Sequence, residues 1–105
     1  MKMKKIQKRV KEFSEKNKII HKPEIHMLDL VSEIGEISKE ILKSTNYGKN
    51  KLDSNLEIKN ELGDALYSLI VLANYLDIDL EEALNIVLKK YEKRLVKGSA
   101  GSENE

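Results

Sequence analysis

The stretch Ala65 to Leu76, ALYSLIVLANYL, is the longest in the chain without a charged residue, and only Ser68 and Asn74 interrupt its apolar and aromatic side chains. As a helix it would rise about 1.5 Å per residue and fall well short of a bilayer core of about 30 Å, so it cannot span a membrane. It is also apolar on more sides than a single buried face requires, which implies at least two partner surfaces. A chain of 105 residues lies near the lower end of what buries a self-sufficient core. The expectation is therefore a helical domain completed by further copies of itself, as a homodimer or a dimer of dimers. Leu69 and Leu72 are the candidates for burial on opposite sides of this helix.

The rest of the sequence agrees with an all-α fold. Glycine and proline number only five and one, and apolar residues recur at spacings of three and four. Four helices follow: about Lys4 to Asn17, Pro23 to Ser44, Asn55 to Leu76, and one beginning at the cap Asp79 and ending near Gly98. Pro23 suits a first helical turn, and Asp79 with Glu82 reads as a capping box. The polar stretch STNYGKNKLDS is the one substantial loop. Short connections suit a four-helix bundle. Residues 1–97 read as one domain, and 98–105 as a disordered polar tail.

Nineteen lysines and arginines nearly cancel eighteen acids, so no overall field favours nucleic acid or an anionic membrane. The basic start MKMKKIQKRVK is partly offset by Glu12 and Glu15, and neither nucleic acid nor membrane is expected as a partner. Absence of cysteine excludes disulfides and thiolate chemistry and leaves a cytoplasmic setting as the default.

Against this background the strings EIGE, Glu33 to Glu36, and ELGD, Glu61 to Asp64, are anomalous. Each puts a glycine, worth about 1 kcal/mol less than alanine, inside a helix and sets like charges one turn apart. Acids at this spacing arise readily by chance in so acidic a chain, and the pairs 12/15 and 79/82 have ordinary explanations in neighbouring lysines and a helix cap. Phase around the helix is more informative. Asp29, Glu33, Glu36 and Glu40 form a stripe beside the apolar face Leu28, Val31, Ile34, Ile37 and Ile41. Glu57, Glu61 and Asp64 repeat the arrangement beside Ile58, Leu62, Ala65 and Leu69. Were the two helices antiparallel, four carboxylates would converge as a hard cation requires, and magnesium, which leaves sites for water and phosphate oxygens, fits best. The competing reading is a pair of solvated acidic stripes whose glycines let helices approach closely.

These residues resemble a known family. Leu28 to Ile37 (LDLVSEIGEI), Glu61 to Leu84 (ELGDALYSLIVLANYLDIDLEEAL) and Lys90 to Arg94 (KYEKR) are similar to the MazG-like nucleotide pyrophosphohydrolases of the all-α NTP pyrophosphatase superfamily. The resemblance implies hydrolysis of a nucleoside triphosphate to the monophosphate and pyrophosphate, as nucleotide-pool housekeeping. It makes Glu33, Glu36, Glu61 and Asp64 ligands of Mg2+, for which Mn2+ would substitute, and Lys90 and Arg94 the grip on the triphosphate. Such chemistry needs charge neutralisation and positioning rather than a nucleophilic side chain. Glu36 or Glu61 would orient or deprotonate the attacking water.

Related branches share the frame, among them the phosphoribosyl-ATP, dUTP and dCTP pyrophosphohydrolases, but LGD, LAN and IDLEEAL favour the MazG-like branch. Where many relatives carry an asparagine before the lysine of the fourth helix, this chain has Val87 and Leu88. Base stacking would fall to Phe13, Tyr47, Tyr67, Tyr75 or Tyr91, or to His21 or His26, although a lone histidine at the start of the second helix reads first as a surface residue. Outside this family, the alternative is a non-catalytic dimerisation module with acidic docking faces.

Overall fold

The computed structural model describes residues 2–19, 22–52 and 56–98. Its elements are α1 (Met3–Lys16), α2 (Pro23–Ser44), α3 (Leu56–Tyr75) and α4 (Leu80–Val96), with no strand among the described residues. The expected all-α class and element order hold, with ends displaced by a residue or two. Pro23 opens α2, where its missing N–H costs nothing. Asp79 caps α4 by accepting from the N–H groups of Glu81 at 2.9 Å and Glu82 at 3.2 Å. The chain leaves α4 through Gly98 at φ 93°, a conformation suited to glycine. His21, Asn55 and the tail residues 99–105 lie outside the described residues. No helix is long and apolar enough to cross a membrane among those described.

Helix α3 is the centre of the molecule. On one side α2 runs antiparallel to it, with Glu33 near Glu61 and Asp64 and, two turns away, His26 near Val71. On another side α1 crosses it: Ser14 shares a 2.8 Å hydrogen bond with the Tyr67 hydroxyl, and Gln7 pairs with Asn74. Ile58, Ala65, Ile70, Val71 and Ala73 are buried between these surfaces. The two polar residues that interrupt the apolar run are thereby explained, since Ser68 is buried and Asn74 is part of a clasp.

That clasp ties three helices together. Gln7 Nε2 donates to Asn74 Oδ1 at 3.0 Å and to the Ile78 carbonyl at 2.9 Å, while Asn74 Nδ2 donates to the Gln7 carbonyl at 2.9 Å. Gln7 Oε1 accepts from the Leu80 N–H at 2.9 Å, satisfying a first-turn donor of α4 that no intrahelical carbonyl can reach. One side chain on α1 therefore fixes the turn from α3 into α4. Nothing in the periodicity of α1 marks Gln7 for this.

Several packing expectations are corrected. In α2 the supposed core face is turned outward, with Leu28 69% exposed, Val31 58% and Ile34 54%, and only Ile37 is half-buried. In α3, Leu62 and Leu69 are exposed although Ile58 and Ala65 are buried, and Leu72 is half-buried. The seam between α2 and α3 is instead lined on the α2 side by His26, Leu30, Glu33, Ile37 and Glu40, so Glu33 and Glu40 of the acid stripe turn inward while Asp29 and Glu36 stay exposed. His26, expected at the surface, is buried. No residue of α4 is buried. The radius of gyration is 16.7 Å, against about 13 Å for a compact chain of this length. One copy does not close a bundle.

Neither glycine of the acid motifs serves a close approach within the chain, because a Cβ at Gly35 or Gly63 would meet nothing within 4 Å. Gly35→Ala and Gly63→Ala should each stabilise the folded protein by about 1 kcal/mol, read as a raised midpoint in thermal melts. Gln7→Ala should cost about 2 to 3 kcal/mol, because it leaves the part-buried Asn74 Oδ1 and the Leu80 N–H at the start of α4 without their partner, and the same melts would show it.

Candidate metal centre

Helical geometry brings the two acid motifs together. Glu33 lies on the inner stripe of α2, and Glu61 and Asp64 lie one turn apart on α3 at the level where the antiparallel helices bring them opposite it. One carboxylate oxygen from each of the three lies within 4.8 Å of the others. Glu33 and Glu61 are half-buried and Asp64 is exposed. Glu36, one turn beyond Glu33, is exposed and stands outside this trio. It is close enough for its charge to act on Glu61.

The electrostatics are those of crowded like charges. The Glu61 carboxyl is pushed above its ordinary range first by a hydrogen bond with Glu33, then by partial burial, and then by the charges of Glu33, Asp64 and Glu36. A proton on one of these acids relieves the crowding, which is why the Glu61 carboxyl moves upward. Every one of these influences acts in the same direction, and none comes from a basic side chain. Such an all-oxygen, multiply anionic donor set fits a hard divalent cation, whose charge would replace that proton.

The two basic candidates are placed differently. Lys90 and Arg94 lie on one face of α4 and bracket Tyr91, with the lysine Nζ 5.4 Å and the guanidinium 5.8 Å from the ring centroid. Helix α4 packs mainly against α1, with α2 against α3. Within one chain, then, the acids of α2 and α3 are gathered, whereas the basic pair sits on a helix that is not part of their seam. Of the possible stacking aromatics, Phe13 and Tyr67 are engaged with each other edge to face at 6.2 Å.

Comparison with known proteins agrees with the geometry. The chain is 38% identical over 71 residues to the uncharacterized protein YpjD of Bacillus subtilis, a match spanning 65% of this chain and 62% of that protein's length. A crystal structure of a Bacillus-conserved MazG protein, a nucleotide pyrophosphohydrolase, superposes with a TM-score of 0.73 at 31% identity, covering all of this chain and 97% of the other. The crystal structure of YpjD from Bacillus subtilis gives 0.73 at 34% identity, covering 87% and 95%. The MazG nucleotide pyrophosphohydrolase domain matches residues 21–97, from before α2 to the end of α4. With most of its length matched, and with its paired acid motifs meeting across α2 and α3, the chain belongs to the MazG nucleotide pyrophosphohydrolase family.

Proposed function

We propose that the chain is a magnesium-dependent nucleoside triphosphate pyrophosphohydrolase that releases a nucleoside monophosphate and pyrophosphate. The observation that carries this reading is the convergence of Glu33, Glu61 and Asp64 from two helices, with Glu36 beside them. Bound Mg2+, or Mn2+ in its place, would neutralise phosphate charge and acidify a water ligand. Glu33, Glu61 and Asp64, with Glu36 one turn beyond Glu33, would hold the ion. Glu36, exposed and outside the trio, is the carboxylate best placed to take the proton of the attacking water, a role Glu61 can fill only when its own carboxyl is ionised. The water oxygen bonds to phosphorus as the anhydride P–O bond breaks, and pyrophosphate leaves. Lys90 and Arg94 supply cationic contacts to the triphosphate, the arginine as a fork and the lysine as a point charge.

The enzyme works as a homodimer or a dimer of dimers, in a cytoplasmic setting. Support comes from the outward apolar stripes, Leu28, Val31 and Ile34 on α2 and Leu62, Leu66 and Leu69 on α3, which association would take out of water. Replacing Leu69 with Asp should abolish association, and light scattering at micromolar concentration reads this directly. A wild-type monomer with its fold intact would remove the assembly from the account.

Activity is tested by incubating common and modified nucleoside triphosphates with protein and Mg2+ and measuring pyrophosphate. Wild type should release it. Glu36→Gln and Asp64→Asn should lose at least about a hundredfold, while Arg94→Ala should mainly raise KM and flatten its salt dependence. Full activity in both carboxylate variants would sink the metal-centre reading.

The raised Glu61 carboxyl also sets a pH dependence. Between its unfolded and folded pKa values the native state holds more protons than the unfolded state, so the stability of metal-free protein should fall as pH rises through that window. Saturating Mg2+ should reverse that loss above the window, since the ion binds only the folded cluster. Melts from pH 4.5 upward with and without Mg2+ read both effects.

A further inference from the structure

The turn that ends α2 has an uncommon backbone. Asn46, Tyr47 and Gly48 follow one another at φ 49°, 59° and 86°. Glycine adopts this region freely and asparagine tolerates it, but for a bulky residue such as tyrosine it is unusual. The turn is nevertheless tightly built. Buried Thr45 donates its hydroxyl to the Ile41 carbonyl at 2.7 Å and accepts from the Gly48 N–H at 3.0 Å. The Tyr47 N–H donates to the Leu42 carbonyl at 2.7 Å, and the Asn50 N–H to the Thr45 carbonyl at 2.8 Å. This rigid frame holds the Tyr47 side chain 77% exposed, so its ring gains little from the fold in return for the backbone it imposes. Strained residues held by an over-determined frame point to a role beyond stability.

Position narrows that role. The bond to Leu42 sets Tyr47 level with the last turns of α2, and Leu42 is nine residues beyond Glu33, about 14 Å along the axis. That lies within the length of a nucleoside triphosphate whose phosphates occupy the acid cluster. The other aromatics are less suited. Phe13 and Tyr67 pack on each other, Tyr91 lies beneath Lys90 and Arg94, and Tyr75 stands eleven residues past Asp64, about 16 Å away towards the other end of α3.

We propose that Tyr47 is the stacking platform for the nucleobase of the triphosphate whose phosphates are held at Glu33, Glu61 and Asp64. This rests on the nucleotide reading above. Every base presents a π-face, so a recognition surface dominated by one exposed ring tolerates many bases.

The test is calorimetric binding, with Mg2+, of an α,β-imido nucleoside triphosphate and of inorganic tripolyphosphate to wild type, Tyr47→Asn and Tyr47→Phe. Asparagine suits the left-handed turn, so the melting temperature should not fall. Tyr47→Asn should bind the nucleotide analogue about tenfold or more weakly, as loss of one base–aromatic stack does, and tripolyphosphate unchanged. Tyr47→Phe should match wild type for both. Equal nucleotide affinity in Tyr47→Asn would overturn the proposal, as would an equal loss of tripolyphosphate, a loss found in Tyr75→Asn instead, or dissociation of the assembly by light scattering. Wild type that binds the analogue but releases no pyrophosphate from any triphosphate would refute the hydrolase reading alone, with Tyr47 still judged on its affinities.

Discussion

Crowding of Glu33, Glu61 and Asp64 to within 4.8 Å, with the charge of Glu36 beside them, is the constraint on which the other features of this chain depend. Like charges this close oppose the packing of α2 on α3, and the same crowding pushes the Glu61 carboxyl upward. A seam of this kind is a poor device for holding two helices together and a good one for holding a divalent cation. Local disagreement between stability and sequence is expected where function resides.

Because Glu33 and Glu40 line the seam, most of the apolar stripe of α2 cannot. Leu28, Val31 and Ile34 on one helix and Leu62, Leu66 and Leu69 on the other are turned to the outside of the hairpin. The chain therefore places a cluster of carboxylates where most helical hairpins place their core and relies on α1 to cover another side of α3. Gln7 is central to that cover, since its single amide joins Asn74, the Ile78 carbonyl and the start of α4. On α2, the inward acids Glu33 and Glu40 and the outward apolar residues Leu28, Val31 and Ile34 are consequences of one rotation of the helix about its axis.

Much of this was legible in the residues. Periodicity located all four helices, and the uncharged run from Ala65 to Leu76 identified α3 as the element needing cover on several sides. EIGE and ELGD marked the cluster through their shared phase. What periodicity could not give was rotation: Leu28, Val31 and Ile34 make an apolar face whichever way it points, and the stripe beside it is equally consistent with solvent or with a seam. Burial of His26 and the part played by Gln7 were hidden for a related reason. Both depend on pairings between residues far apart in the chain, Gln7 with Asn74 and His26 with the neighbourhood of Val71, which no local pattern encodes. Glu36 is the instructive case within the site: its spacing matches its neighbours, but one turn of helix leaves it outside the trio of converging oxygens.

The central claim is that the acids on α2 and α3 form one cation site. It is tested most directly by titrating the protein with Mn2+ and following loss of the free-ion paramagnetic resonance signal, with Mg2+ as competitor. The account predicts saturable binding that Mg2+ displaces and that Glu33→Gln and Asp64→Asn each abolish or weaken at least about tenfold, although the two residues lie on different helices. Binding that is absent in wild type, or that survives unchanged in either variant, would contradict it.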